Sequence, residues 1–142
     1  MKNIGILFGT MCAGLTISTA AFATGVFMDA ASIKFAPVPG FAGVQTATVE
    51  GDAAKGAHHA FMKFDAGFAA PAHLHTSDHF VTVIAGTLVL GVDGVEHKLP
   101  AGSYFSFKKK GLHTTKCETG EPCLLFMDVR GKWDVVPQAA KK

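Results

Sequence analysis

Residues 67–86 read GFAAPAHLHTSDHFVTVIAG, and the architecture of the chain follows from them. It holds three histidines, His73, His75 and His79. Side chains on a strand alternate faces, so His73 and His75 point the same way. Were the strand to run straight on, His79 would lie roughly 20 Å from His73, too far to share an ion. Thr76, Ser77 and Asp78 are turn formers, however, and a short loop there would fold the chain back. His79 then opens a returning antiparallel strand and faces the first two. Three imidazoles on one point are what a borderline transition metal prefers. The bland alternative is three histidines on a solvated hairpin.

The spacing also resembles the first motif of the cupin superfamily. It runs Gly67, five residues, His73-Leu74-His75, three residues, His79, six residues, Gly86. The family usually carries glutamate where this chain has His79. A second motif, beginning with glycine and ending in histidine, fits Gly102, five residues, then 108–113. There the family's proline falls on Lys108, its glycine on Lys110 and its terminal asparagine on Cys117. The ligand position is kept as His113. Fifteen residues separate Gly86 from Gly102, the short intermotif length of small microbial cupins. The resemblance covers about residues 51–129. It implies an all-β fold, a single cupin barrel (double-stranded β-helix, or jelly roll), of the small secreted kind. It also implies one metal per chain, held by His73, His75, His79 and His113.

Length and composition agree with one globular domain. The chain has 142 residues, 49% of them hydrophobic and 17% charged. That is too apolar for a disordered chain and long enough for a single core. A formal charge of +2 gives no electrostatic reason to expect nucleic acid or an acidic membrane surface as partner. Lys108, Lys109 and Lys110 form the one dense basic run, read as a solvated loop.

Residues 1–23 read as a cleaved signal peptide: Lys2 gives a positive start, 4–20 is apolar and small, and Ala21-Phe22-Ala23 is an A-x-A site. A membrane anchor would need about 20 strongly apolar residues, which this stretch lacks. Cys12 follows no lipoprotein box and is expected to leave with the signal. The mature chain, exported to the periplasm or beyond, would then keep two cysteines, Cys117 and Cys123. An oxidising compartment favours their pairing across the turn-rich loop between them. The alternative is two reduced thiols.

The mature chain reads as strands and turns. Residues 24–43 are taken as an N-terminal arm, 44–136 as the barrel and 137–142 as a tail. Strands are expected at 44–49, 60–64, 80–92 with a break at Ala85-Gly86, 95–99, 104–107, 114–117 and 124–129, the last two pairing across the cysteine loop. Asp93-Gly94 is a hairpin signal. His58 and His59 are read as surface or supporting groups, His97 as partly exposed, and Arg130 as a surface residue. Phe61, Phe64, Phe105, Phe107 and Phe126 are expected in the core.

Four neutral imidazoles leave the full charge of a divalent metal at the site, which makes it a strong Lewis acid. All-nitrogen ligation favours iron, nickel, copper or zinc over manganese. Octahedral geometry would leave two positions for a small-molecule ligand, or for substrate and dioxygen. Three function classes follow. The first is a dioxygenase-type oxidoreductase acting on a small chelating substrate, the class that family analogy favours. The second is a non-redox isomerase or hydrolase, with Asp78, Glu96 or Tyr104 as acid/base. The third is a non-catalytic binding or sensing module. No G-x-S-x-G or phosphate-loop glycine run appears. A homodimer is expected, because 80–90 is apolar on both alternating faces.

Overall fold

The computed structural model describes residues 25–138. The expected signal segment 1–23, with Cys12 and the cleavage point at Ala23, lies outside the described residues. Eleven strands follow in order: β1 (Ala36–Pro37), β2 (Val44–Gly51), β3 (His58–Phe64), β4 (Ala69–Leu74), β5 (His79–Ala85), β6 (Thr87–Val92), β7 (Val95–Pro100), β8 (Tyr104–Phe107), β9 (His113–Cys117), β10 (Cys123–Val129) and β11 (Val136–Pro137). No helix long and apolar enough to cross a membrane occurs among the described residues.

Two antiparallel sheets enclose the core. The first has the order β1-β2-β3-β10-β5-β8, the second β11-β4-β9-β6-β7. From β4 onward the chain changes sheet at almost every connection, which is jelly-roll winding. The alternation in the sequence is the physical cause. In β3 and β10 every second residue is buried, and in β9 buried and exposed residues alternate strictly. Each such strand therefore lays one face on the interior. Val81, Val83, Leu88, Leu125, Met127 and Val129 meet there. The hairpin β6–β7 turns at Asp93-Gly94, both with positive φ (50° and 81°), as a two-residue primed turn requires. The edge strand β7 is exposed along Glu96, His97 and Lys98, charges that discourage pairing with another chain.

Two expected pairings are corrected. His79 does not return along the strand of His73: β4 pairs β9 and β11, whereas β5 pairs β10 and β8. Thr76, Ser77 and Asp78 carry the chain across from one sheet to the other. Nor do the strands flanking the cysteine loop pair, for β9 and β10 belong to opposite sheets. In both places two inward-facing strands sit opposite each other across the core, which buries more apolar surface than a two-stranded hairpin would. The Cys117–Cys123 disulfide (Cα–Cα 5.9 Å) thus staples the two sheets together, at the end of the barrel away from the histidines. Gly86, with φ 74°, makes the β5–β6 crossing beside that staple. A Cβ there would lie 2.7 Å from the Pro122 carbonyl oxygen, so only glycine fits.

The arm is more than a linker. β1 pairs β2, the Val38 N–H donates to the Val44 carbonyl (3.0 Å), and Val38 and Phe41 pack on the core. Of the five phenylalanines, Phe64 is buried and Phe105 and Phe107 pack against the core. Phe61 and Phe126 instead meet edge-on (5.3 Å between centroids) on the outer face of the six-stranded sheet, where parity puts them.

Candidate metal centre

His73 lies near the end of β4 and pairs in register with His113, the first residue of β9. Their rings are 4.4 Å apart between centroids. His75 follows β4 directly, on the same face as His73, with ring centroids 5.1 Å apart. His79 opens β5 in the facing sheet, 4.7 Å from the His75 ring. The crossing between sheets, rather than a hairpin, brings it there. All four are at least 94% buried. The side-chain nitrogens of His73, His75 and His113 lie within 4.8 Å of one another, a grouping that could hold a metal ion. His79 stands outside this trio, its ring 6.2 Å from that of His113.

Each ring is oriented by its other nitrogen. Nδ1 of His73 donates to the Pro71 carbonyl (2.7 Å), His113 to Gly111 (2.9 Å) and His79 to Ser77 (3.2 Å). The His75 Nδ1 donates to the carbonyl of Asp134, 59 residues away in sequence. A carbonyl only accepts, so each Nδ1 carries the proton and each Nε2 keeps its lone pair for a metal. This is the support that metal-bound histidines ordinarily have. Aromatic planes fix two of the rings further. Phe107 stacks on His113 (4.2 Å, 10°) and Trp133 on His75 (4.1 Å, 24°).

Burial also favours the neutral form of His75, His79 and His113. It pushes the His75 pKa down to about 3, only partly offset by the Asp134 carbonyl, and the His113 pKa down to about 4. Burial lowers that of His79 as well. Neutral imidazole is the ligating form, so the donor set fits a divalent transition metal without a prior deprotonation.

The histidines close one end of a cavity of about 70 Å³ inside the barrel. Valine, leucine, phenylalanine and methionine side chains from both sheets make most of its wall, among them Phe64, Phe105, Met62 and Met127. None of the three acid/base candidates lines it. Asp78 accepts from the Lys109 N–H (2.8 Å) and the Lys108 ammonium (3.2 Å), which together hold its carboxyl below the usual range. Glu96 is exposed on β7, and Tyr104 is 60% exposed on the outer face. The basic run is accordingly anchored through Asp78. Lys110 takes a left-handed φ of 66° where the family motif has glycine, and its N–H donates to the His75 carbonyl (2.8 Å).

The remaining histidines lie elsewhere. His58 is buried rather than on the surface, donating to the Gly56 carbonyl (2.9 Å) outside the cavity wall. His59 sits half-exposed beside Glu50 (2.9 Å), and His97 is exposed. Arg130 is a surface residue paired with Asp128. Three groups at the site escaped the sequence reading: Trp133, Asp134 and Thr115. The one signal that marks any of them is that Trp133 is the only tryptophan in the chain.

No curated protein matches the chain. Solved structures resemble its fold. The polyketide cyclase RemF from Streptomyces resistomycificus has 14% identity and a TM-score of 0.69, over 84% of this chain and 89% of that one. KdgF from Halomonas sp. has 19% identity and a TM-score of 0.62, over 75% and 94%. An RmlC-like cupin from Ralstonia eutropha JMP134 has 22% identity and a TM-score of 0.67, over 81% and 73%. At these identities the likeness concerns the fold. The family model for the cupin domain matches residues 60–129. That span begins inside β3, ends with β10 and contains every histidine of the site, so two sheets wound as a jelly roll around a histidine cluster have the sequence to match: the chain belongs to the cupin superfamily.

Proposed function

We propose that the protein is a metal-dependent dioxygenase acting on a small chelating organic molecule, such as a diketone, an enol or a hydroxylated aromatic. The observation that carries this is a cluster of buried histidines in an apolar cavity with no carboxylate in its wall among the described residues. His73, His75 and His113 would hold iron, nickel, copper or zinc, with His79 as the fourth ligand from the facing sheet. The metal, when bound, supplies a Lewis-acidic centre at which an enolate or phenolate is stabilised and dioxygen can react. Both oxygen atoms enter the organic molecule, so no external reductant is needed. The chain's own residues orient the ligands through their Nδ1 bonds and exclude water from the wall.

The absence of Asp78, Glu96 and Tyr104 from the cavity weighs against the isomerase or hydrolase reading, which needs a placed acid or base. A binding or sensing module needs the same ligands and is the second reading, favoured by that same absence. Oxygen uptake decides between them. Iron-, nickel- and copper-loaded protein is given a panel of chelators. Metal-dependent uptake that vanishes in His113→Ala supports the dioxygenase. A fully loaded protein that binds the chelators and consumes no oxygen is a binding module.

We also infer export and a homodimer. The Cys117–Cys123 bridge supports an oxidising compartment. Ile84 (43% exposed) and Tyr104 (60%) lie with Phe61 and Phe126 on the outer face of the six-stranded sheet, an apolar surface that a second copy would cover. Light scattering should give a dimer mass at micromolar concentration; a monomer mass refutes that part.

A further inference from the structure

The wall of the cavity carries information about its ligand that the metal ligands do not. Among the described residues, no lysine, arginine, aspartate or glutamate lines it. Apart from the four histidines and the indole of Trp133, the described residues of the lining offer one hydrogen-bonding side chain, Thr115. Thr115 is buried and lies two residues beyond His113 on β9, on the same inward face. At about 3.4 Å per residue its hydroxyl is some 7 Å deeper than the metal ligand. In register it stands between Ala70 of β4 and Leu90 of β6, so its surroundings are otherwise aliphatic. The volume sets a second limit. At about 70 Å³ the cavity is well below the roughly 300–1,000 Å³ of sites that enclose drug-sized ligands, so its ligand is small.

We infer that the site takes a short organic ligand, uncharged beyond its metal-binding end, whose far end carries a hydroxyl or carbonyl held by Thr115. This rests on the metal reading above and narrows it. A carboxylate or ammonium tail would be buried without a partner, which is strongly unfavourable in an apolar wall. A long or two-ring tail does not fit the space. A short tail ending in a neutral oxygen meets the one polar group the wall provides. Thr115 is therefore a specificity-determining residue, remote from the metal.

The test uses nickel-loaded protein and hydroxamates that share one chelating end and differ in the tail. Butyrohydroxamate has a methyl terminus, 3-hydroxypropionohydroxamate a hydroxyl terminus of the same length, malonic monohydroxamate a carboxylate, and octanohydroxamate a long chain. Affinity is read by calorimetry and by the visible absorption of nickel. Thr115→Val keeps the shape and β-branching while removing the hydroxyl. The wild-type protein should bind the hydroxyl-tailed probe about 3–10-fold more tightly than the methyl-tailed one, as one net hydrogen bond gives. The carboxylate and heptyl tails should bind at least about 10-fold more weakly than the methyl tail. Thr115→Val should load nickel normally and lose the preference for the hydroxyl tail. Equal or tighter binding of the carboxylate tail, or a hydroxyl preference that survives in Thr115→Val, overturns the inference while the metal site stands. A protein that takes up no nickel overturns the metal reading and this inference with it.

Discussion

Acid should destabilise the metal-free protein well above the pH at which its carboxylates titrate. His75 and His113 have folded pKa values of about 3 and about 4, against 6.5 when unfolded. Above pH 6.5 both states are neutral and these rings contribute no pH dependence. Below it the unfolded chain takes up protons that the folded chain refuses, so stability falls with pH, down to pH 3–4 where the folded rings titrate. Each refused proton costs about 1.4 kcal/mol per pH unit. At pH 5 the two rings together cost about 4 kcal/mol, or about 3 kcal/mol once discounted for solvent screening of rings that are not wholly enclosed. His79 shifts in the same direction and adds to this. Asp29, Asp52 and Asp78 are each held below the ordinary 3.8 by hydrogen bonds, so between pH 7 and pH 5 they do not mimic the effect. Three kcal/mol is a large part of a typical domain stability of about 5–15 kcal/mol. The assay is urea unfolding in chelator, followed by the fluorescence of Trp133, which stacks directly on His75. Between pH 7 and pH 5 the midpoint should fall by about 1–3 M. A His75→Gln, His113→Gln double variant should show a much flatter dependence. An unchanged wild-type midpoint, or an equally steep double variant, would refute the claim that these rings are held neutral by burial.

Other expectations test the site and its supports. His75→Ala should remove most bound metal by elemental analysis, and His79→Ala should weaken binding less, because His79 stands outside the closest trio; equal dependence on His58, His59 or His97 would overturn the ligand assignment. Lys110→Gly should raise the urea-derived stability by about 0.5 kcal/mol, the release of left-handed strain at φ 66° being partly offset by the entropy of glycine. Lys110→Val should instead lower it, since a β-branched residue tolerates that conformation worst. Secreted protein should have an intact mass lacking residues 1–23 and two hydrogens below the reduced form. Reduction of Cys117–Cys123, which closes a loop of sequence separation 6, should cost about 2 kcal/mol in denaturant unfolding. Alkylation of both thiols without prior reduction would contradict the bridge.

Local features and the identities of the clustered histidines were legible in the residues alone. Alternation of period two placed the strands at 44–49, 60–64, 104–107 and 124–129 within two residues of their observed bounds, because a strand with one buried face writes that face into its own residues. Asp93-Gly94 declared its hairpin because few residues accept two consecutive positive φ values. His73, His75 and His113 were legible through their spacing and the resemblance it carries. Which strand lies beside which was settled by the folded chain alone. Thr76, Ser77 and Asp78 have the composition of a hairpin turn yet make a crossing between sheets, and the cysteine loop does the same. Turn chemistry bends the backbone locally, but the partner of a strand is chosen by the apolar surface it can bury across the barrel. The same holds for the rest of the site. The Asp134 carbonyl that orients His75 comes from 59 residues away, and Trp133 and Thr115 reach the cavity only because strands of both sheets and the C-terminal segment converge on it. A contact between residues so far apart leaves no trace in local sequence, since each residue alone is compatible with many neighbours and only the folded chain selects one.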